Sequence, residues 1–179
     1  QAAMFSPIAK AVLQPNNSDQ IATVTAQAVA LSTAGRPGPV VVVLPRDLTD
    51  GLVNNPDVPM PKPRPNVLPD PGAIEQAGMM INTAKCPLVL SGEIVAVQDC
   101  NDSLMALAES GGLPVMTTYR RQDTFSNQHP AYAGHLEINR LPYQREILKR
   151  ADLLIAVGSR MDGITSEDGL LPHDHQSLI

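Results

Sequence analysis

One short stretch of this chain constrains its fold more than any other part of the sequence. Residues 35–47 read Gly-Arg-Pro-Gly-Pro-Val-Val-Val-Val-Leu-Pro-Arg-Asp. Gly35 can adopt the left-handed conformation that ends a helix, and Pro37 prevents the helix from continuing. Residues 40–44 are all apolar and mostly β-branched, which is typical of a strand covered on both faces in a parallel sheet. Because Pro45 cannot donate to a neighbouring strand, the stretch predicts a helix followed by a short central strand of an α/β domain.

A helix is predicted before this strand, and a proline-rich segment follows it. Ser18 is a suitable N-cap, and apolar residues recur after it at helical spacing, at Ile21, Val24, Ala28 and Leu31. Residues 54–71 then contain seven prolines, a density that fits neither a helix nor a central strand. We expect an extended, semi-rigid linker over residues 51–70 that separates two α/β units.

After the linker, helices and strands alternate at the spacing of βαβ units. Asp70 followed by Pro71 is a good start for the first helix. In chain order, the sequence then predicts a strand at 87–90, a turn at 91–93, a helix ending at Gly111-Gly112, a strand at 114–117, a long loop, a helix at 141–150, a strand at 153–157 and the entry to another strand at 175–179. The expected architecture is a Rossmann-like parallel sheet with helices on both faces, preceded by the tail of a second α/β domain.

Charge, apolar runs and cysteine spacing exclude several classes of protein. The formal net charge is −5 and no basic cluster occurs, so nucleic acid is not an expected partner. No apolar run approaches the roughly 18–20 residues that span a bilayer, and no charged-then-apolar leader opens the sequence, so we expect a cytoplasmic protein with no membrane partner. Cys86 and Cys100 lack the spacing of a metal or redox motif and are predicted to be buried structural thiols. A serine hydrolase is excluded because no Gly-x-Ser-x-Gly motif is present.

Two parts of the chain resemble adjacent domains of the thiamine-diphosphate-dependent enzymes of the acetolactate synthase type. Residues 35–47 resemble the last helix and strand of the pyrimidine-binding domain, and residues 4–10 resemble the segment that precedes that helix. Residues 71–179 resemble the central domain, and the blocks that carry this likeness are 86–92, 104–109, 112–118, His129-Pro130 with Gly134, and 151–160. The stretch 119–123 is similar to a less-characterised, acetolactate synthase-like branch. The resemblance implies the C-terminal end of a pyrimidine-binding domain at 1–50, a linker at 51–70 and an incomplete central domain at 71–179.

The resemblance also implies a function for the parent protein and none for this chain alone. In the family, thiamine diphosphate and Mg²⁺ are held by a glutamate early in the pyrimidine-binding domain and by a Gly-Asp-Gly motif in a third domain. Neither part is present in this sequence. Asp162-Gly163 is not a Gly-Asp-Gly motif, because the residue before Asp162 is not a glycine. No catalytic or metal-binding residue is therefore assigned to this chain. The sequence starts at Gln1 rather than Met and stops at Ile179, where a new apolar segment begins. We therefore expect a piece of a longer protein. The parent is expected to be a homo-oligomeric 2-oxo-acid decarboxylase or carboligase, a transferase or lyase, acting on a substrate such as pyruvate.

A central domain of this family is either structural or binds an adenine nucleotide, FAD or ADP. Ligands of open parallel sheets lie beyond the carboxyl ends of the strands, and the loop that holds His135 approaches the flavin in FAD-using relatives. Glu93 would oppose a phosphate, and residues 162–165 depart from the Arg-Phe-Asp-Asp-Arg pattern of FAD-binding members. A non-catalytic adenine-nucleotide-binding module is therefore the alternative function. Its cofactor-binding candidates are Gly92, Thr117, His135, Gly158, Ser159 and Arg160.

Several other polar residues admit both a functional and a structural interpretation. His173-Asp174-His175 has a spacing found in metal sites but also fits a polar loop before a terminal strand. Arg120-Arg121 could face an anionic ligand or simply be exposed, and His129 lies in the predicted long loop, where functional residues are common. Lys10 matches a position near the active-site entrance of the resembled enzymes, or is a solvated lysine.

Overall fold

The structure is a computed structural model that describes residues 2–54 and 68–179. It divides into two compact units, Gln1–Leu68 and Pro69–Ile179. The division falls inside the proline-rich segment that we propose as the linker. Most of that linker, residues 55–67, lies outside the described residues.

The first unit contains a small parallel sheet next to one long helix. Its elements are α1 (Ala2–Phe5), β1 (Ala11–Leu13), α2 (Ile21–Thr33), β2 (Val40–Val42) and α3 (Arg46–Thr49). β1 and β2 pair in parallel, with Val12 opposite Val41. A 3-10 turn at Ser18–Gln20 precedes α2, and Asn17 rather than Ser18 provides the cap, because its side chain accepts from the backbone of Gln20. Gly35 is left-handed at φ +51°, as the helix stop requires.

Lys10 has a structural role at the C-terminal end of α2. Its ammonium group donates to the backbone carbonyls of Ala34 and Arg36, the latter at 2.8 Å. Carbonyl groups at the end of a helix lack partners within the helix, and a cation is favourable there. Neither sequence interpretation of Lys10 included this contact. Its acceptors lie 24 and 26 positions further along the chain, so no local pattern indicates them.

The second unit alternates helices and strands along its whole length. Its elements are α4 (Pro71–Thr83), β3 (Pro87–Ser91), α5 (Glu93–Val97), α6 (Asn101–Gly111), β4 (Val115–Thr117), β5 (Tyr132–His135), α7 (Pro142–Arg150), β6 (Leu153–Val157), α8 (Gly163–Ser166) and β7 (Ser177–Leu178). Across residues 2–54 and 68–179, none of the helices combines the length and the apolar character needed to cross a bilayer.

The five strands of the second unit form one parallel sheet in the order β5-β4-β3-β6-β7. The chain starts at the central strand β3, moves outward through β4 and β5, and then crosses to the other side to form β6 and β7. This confirms the predicted Rossmann-like α/β fold. The change of direction places the topological switch point, where open sheets of this kind bind ligands, between β3 and β6.

Apolar side chains cover both faces of this sheet, which explains why its strands are continuous hydrophobic runs. Alternate residues of β3 point to opposite faces, with Val89 in one core cluster and Leu88 and Leu90 in the other. One cluster includes Leu104 and Ala108 of α6, and the other includes Leu148 of α7. The layers are therefore helix, sheet, helix.

Three sequence predictions differ from the structure of the second unit. His135 is the last residue of β5, not part of a long loop, and α5 begins directly at Glu93 where a turn was predicted. The prediction of buried thiols is wrong, because Cys86 is exposed and Cys100 is only half-buried. Cys86 immediately precedes β3, at the rim of the sheet and outside its core.

Asp152 joins the starting ends of the two central strands. Its carboxylate accepts hydrogen bonds from the backbone N–H groups of Lys85 at 2.7 Å and Cys86 at 2.9 Å. The bond from Lys85, and then that from Cys86, holds the pKa of Asp152 below its ordinary value of 3.8. Because the folded pKa is lower, the contribution of Asp152 to stability is fully present above pH 3.8 and disappears as the pH falls through the folded pKa.

We expect Asp152→Asn to lower the midpoint of thermal unfolding at pH 7, because the amide presents a donor to one of the two N–H groups. The difference from the unmodified chain should shrink once the pH falls below 3.8. Thermal unfolding followed by circular dichroism between pH 7 and pH 3 measures both effects. Asp174→Asn, at an exposed position, is the control for the change in charge. A deficit of constant size down to pH 3 would contradict the assigned role of the carboxylate.

Candidate functional site

The carboxyl edge of the sheet brings together all six cofactor-binding candidates. Thr117 pairs in register with Ser91 of β3 and with His135 of β5. Ser91 also pairs with Val157 of β6, so the residues that follow these two strands, Gly92 and 158–160, lie at the same edge. The order of the strands thus accounts for this juxtaposition of residues that are far apart in sequence.

The turns after β3 and β6 are in direct backbone contact. The N–H of Gly92 donates to Val157 O at 2.9 Å, and the N–H of Ile94 donates to Gly158 O at 3.1 Å. A Cβ atom on Gly92 would lie 2.4 Å from the Cα of Ser159, closer than real Cβ atoms come. Gly158 is left-handed at φ +63°. The N–H groups of Gly92 and Ile94 are thus already bonded within the protein, and a ligand at the switch point would lie above this junction.

Buried hydroxyl groups form a layer beneath the turn that follows β4. Ser91 Oγ donates to Thr124 Oγ1 at 2.8 Å, and Thr124 Oγ1 donates to the carbonyl of Arg121 at 2.9 Å. Thr117 is fully buried, yet its Oγ1 has no hydrogen-bond partner among the described residues. A buried hydroxyl without a partner is uncommon and costs free energy.

An ion pair connects the start of α5 to the turn after β4. Arg121 Nη2 lies 2.9 Å from Glu93 Oε1, and Arg121 Nη1 lies 3.9 Å from Asp123 Oδ2. Arg120 is left-handed at φ +61°, and its guanidinium carbon lies 5.0 Å from the centre of the Tyr119 ring. The sequence drew attention to Glu93 and to the arginine pair separately. Their contact is predictable only once β3 and β4 are known to be neighbours.

Arg160 and His135 each have an acidic neighbour at the edge. The side chain of Arg160 is half exposed, and its Nη2 lies 3.9 Å from Asp162 Oδ2. Asp162 caps α8 by accepting from Thr165 N at 2.9 Å, and this bond holds the pKa of Asp162 below its ordinary value. His135 Nε2 lies 2.7 Å from Glu137 Oε1. The guanidinium group of Arg160 therefore remains accessible to solvent, whereas one ring nitrogen of His135 already contacts a carboxylate.

Arg140, which the sequence did not single out, anchors the segment after β6. Its side chain is 3% exposed and its Nη1 lies 2.8 Å from Glu167 Oε1. Nη2 donates to the carbonyls of Ile164 at 2.8 Å and Thr165 at 2.7 Å. Burial lowers the pKa of the Arg140 guanidinium, and the Glu167 carboxylate opposes that shift. No sequence pattern indicated this role, because nothing local distinguishes Arg140 from an exposed arginine.

The remaining histidines have protein partners of their own. His129 Nε2 lies 3.1 Å from Glu109 Oε1, and the rings of His173 and His175 stack with centres 5.8 Å apart. His175 Nε2 also lies 3.1 Å from the carbonyl of Lys149. Within the described ranges, no group of three or more histidine, cysteine or acidic residues could hold a metal ion. Residues 173–175 lie in the loop directly before β7.

Two open cavities lie along α7 and residues 163–175. Their volumes are about 370 Å³ and 770 Å³, and both are lined by Arg140 and Arg145. None of the six candidate residues lines either cavity.

A family model described as the central domain of thiamine pyrophosphate enzymes matches residues 74–178. The acetolactate synthase large subunit of Corynebacterium glutamicum is 35% identical over 165 residues, which cover 90% of this chain and 26% of that protein. The sulfoacetaldehyde acetyltransferase of Rhodobacter capsulatus is 30% identical over 135 residues, which cover 73% of this chain and 22% of that protein. This chain thus spans about a quarter of the length of these relatives.

A solved structure shows the same architecture. It is an X-ray structure from Mycobacterium smegmatis, described as a candidate thiamin diphosphate-dependent enzyme, and it superimposes with a TM-score of 0.77 at 26% sequence identity. The superposition covers 88% of this chain and 30% of that one.

We expect Gly92→Ala to destabilise the second unit by at least about 2 kcal/mol, because the added methyl group overlaps the backbone of the turn after β6. Gly78→Ala is the matched control: it lies within α4 with open space around its Cβ position, and should stabilise by about 0.5–1 kcal/mol. Urea unfolding of both variants measures the two changes. Equal stabilities would show that the junction tolerates a side chain.

Arg140→Ala should destabilise the segment after β6 by roughly 2–3 kcal/mol, because it leaves Glu167 and two backbone carbonyls without their donor. Hydrogen exchange should become faster at residues 163–171 while β3 stays protected. Arg150→Ala, at an exposed position on α7, is the control and should leave exchange unchanged. Unchanged exchange in Arg140→Ala would contradict the anchoring role.

Proposed function

This chain belongs to the thiamine pyrophosphate enzyme family, and from that membership we propose that the whole protein is an acetolactate synthase-like decarboxylase or carboligase of 2-oxo acids. The observation that carries the proposal is the extent of the likeness. The similarity to the acetolactate synthase large subunit runs over 165 residues and so extends beyond the central-domain match at 74–178. A shared succession of two units is stronger support than a shared fold, because one fold serves many functions.

We propose that the residues of this chain support the reaction without carrying it out. Thiamine diphosphate does not fit the residues present, because the sequence has no Gly-Asp-Gly motif and the described residues offer no acidic cluster for Mg²⁺. Both groups would bind other parts of the parent, a homo-oligomer. The second unit would serve as a rigid scaffold, with its helices packed on both faces of the sheet.

One observation favours the second candidate function, binding of an adenine nucleotide such as FAD or ADP. The unpartnered hydroxyl of Thr117 and the half-exposed guanidinium of Arg160 both lie at the carboxyl edge. The junction of Gly92 with the turn after β6 and the carboxylate of Glu93 weigh against it, since they occupy N–H donors and add negative charge. The proposed contacts would come from Gly92, Thr117, His135, Gly158, Ser159 and Arg160.

We predict that this chain alone does not bind thiamine diphosphate in the presence of Mg²⁺. The parent protein should release CO₂ from pyruvate or another 2-oxo acid only when both are supplied. Calorimetric titration of the chain and a CO₂-release assay of the parent measure the two halves of the prediction. Micromolar binding by the chain would place the cofactor site here. A parent that releases no CO₂ from any 2-oxo acid would overturn the proposed activity.

A further inference from the structure

We propose that Glu93 is a specificity-determining residue whose carboxylate occupies, from within the protein, an oxyanion site at the guanidinium of Arg121. In this arrangement a free diphosphate group must displace the carboxylate to bind Arg121, and removing the charge of Glu93 opens the site. The inference takes its location from the proposed nucleotide alternative but does not require an adenine group. It concerns a ligand with a phosphate or diphosphate end.

The contact between Glu93 and Arg121 has the geometry of a bound oxyanion. Arg121 Nη2 and Glu93 Oε1 are 2.9 Å apart, and the two side chains remain 35% and 39% exposed. Partly exposed ion pairs contribute little net stability, so a competing anion can replace the carboxylate at low cost. An arginine guanidinium also binds phosphate oxygens with good geometry.

The site is fixed by buried contacts beneath it. The backbone carbonyl of Arg121 accepts from Thr124, whose hydroxyl in turn accepts from the fully buried Ser91.

A second cation lies next to Arg121. Arg120 is exposed, packs over the ring of Tyr119, and makes no ion pair within the described part of the chain. Its left-handed backbone at φ +61° is uncommon for a residue other than glycine and is frequent at ligand sites. Once Glu93 is neutral, positive charge exceeds negative charge at this turn, which favours an anion with more than one charge.

The test is calorimetric titration of the full chain with inorganic diphosphate at low ionic strength. Glu93→Gln keeps the shape of the side chain and removes its charge, and we expect at least about ten-fold tighter binding than in the unmodified chain. Glu109→Gln, which removes a carboxylate from the ion pair with His129, is the control for net charge and should not change the affinity. Glu93→Ala gives an independent check if the glutamine variant is poorly folded.

A further variant assigns any gain to the proposed residues. Glu93→Gln combined with Arg121→Gln should lose the added affinity. A gain that survives Arg121→Gln, an equal gain in Glu109→Gln, or no gain in either Glu93 variant would overturn the inference. Binding of ADP by the unmodified chain that Glu93→Gln leaves unchanged would also overturn it, yet would support the nucleotide alternative. Assays of the parent with thiamine diphosphate are unaffected by any of these outcomes.

Discussion

The contact between Gly92 and the turn after β6 is the constraint on which the carboxyl edge depends. β3 and β6 pair along five residues, from Pro87 opposite Leu153 to Ser91 opposite Val157, and the chain must leave both strands at the same point. The two exits can lie side by side only if no side chain projects from residue 92. β4 pairs in register with β3, and β5 pairs with β4, so Thr117 and His135 lie at the same edge. The junction and the strand register together therefore position the candidate residues.

Most features of the second unit that follow from local patterns could be predicted from the sequence. β3 and β6 are continuous hydrophobic runs bounded by polar residues or glycine, and their predicted limits agree with the structure to within one residue. Asp70 caps α4 as expected, and Gly112 ends α6 in the left-handed conformation. In each case, the residues that decide the element are adjacent in the chain.

Features that depend on contacts between distant residues could not be predicted in this way. β5 reads Tyr-Ala-Gly-His, a segment with no β-branched residue and with a glycine at φ +105°, and it is a strand because β4 lies next to it. The same reason applies to β1, three residues whose pairing partner β2 is 27 positions or more along the chain. Glu93 and Arg121 are 28 residues apart, and Arg140 and Glu167 are brought together only by the turn after β6. Sequence reasoning placed the candidate residues after strands that end at one edge but could not show which charges there neutralise one another.

The two arginine–glutamate pairs of the second unit illustrate how burial separates structural from exchangeable charge. Arg140 is almost completely enclosed and donates to two carbonyls as well as to Glu167, so replacing its partners would disrupt the turn. Arg121 makes a contact of similar length to Glu93, but water reaches both of its charged groups. An oxyanion can therefore compete for Arg121 and cannot compete for Arg140. The difference lies in the surrounding elements, because Arg121 sits at the open end of the sheet whereas Arg140 is enclosed by the segment that it holds in place.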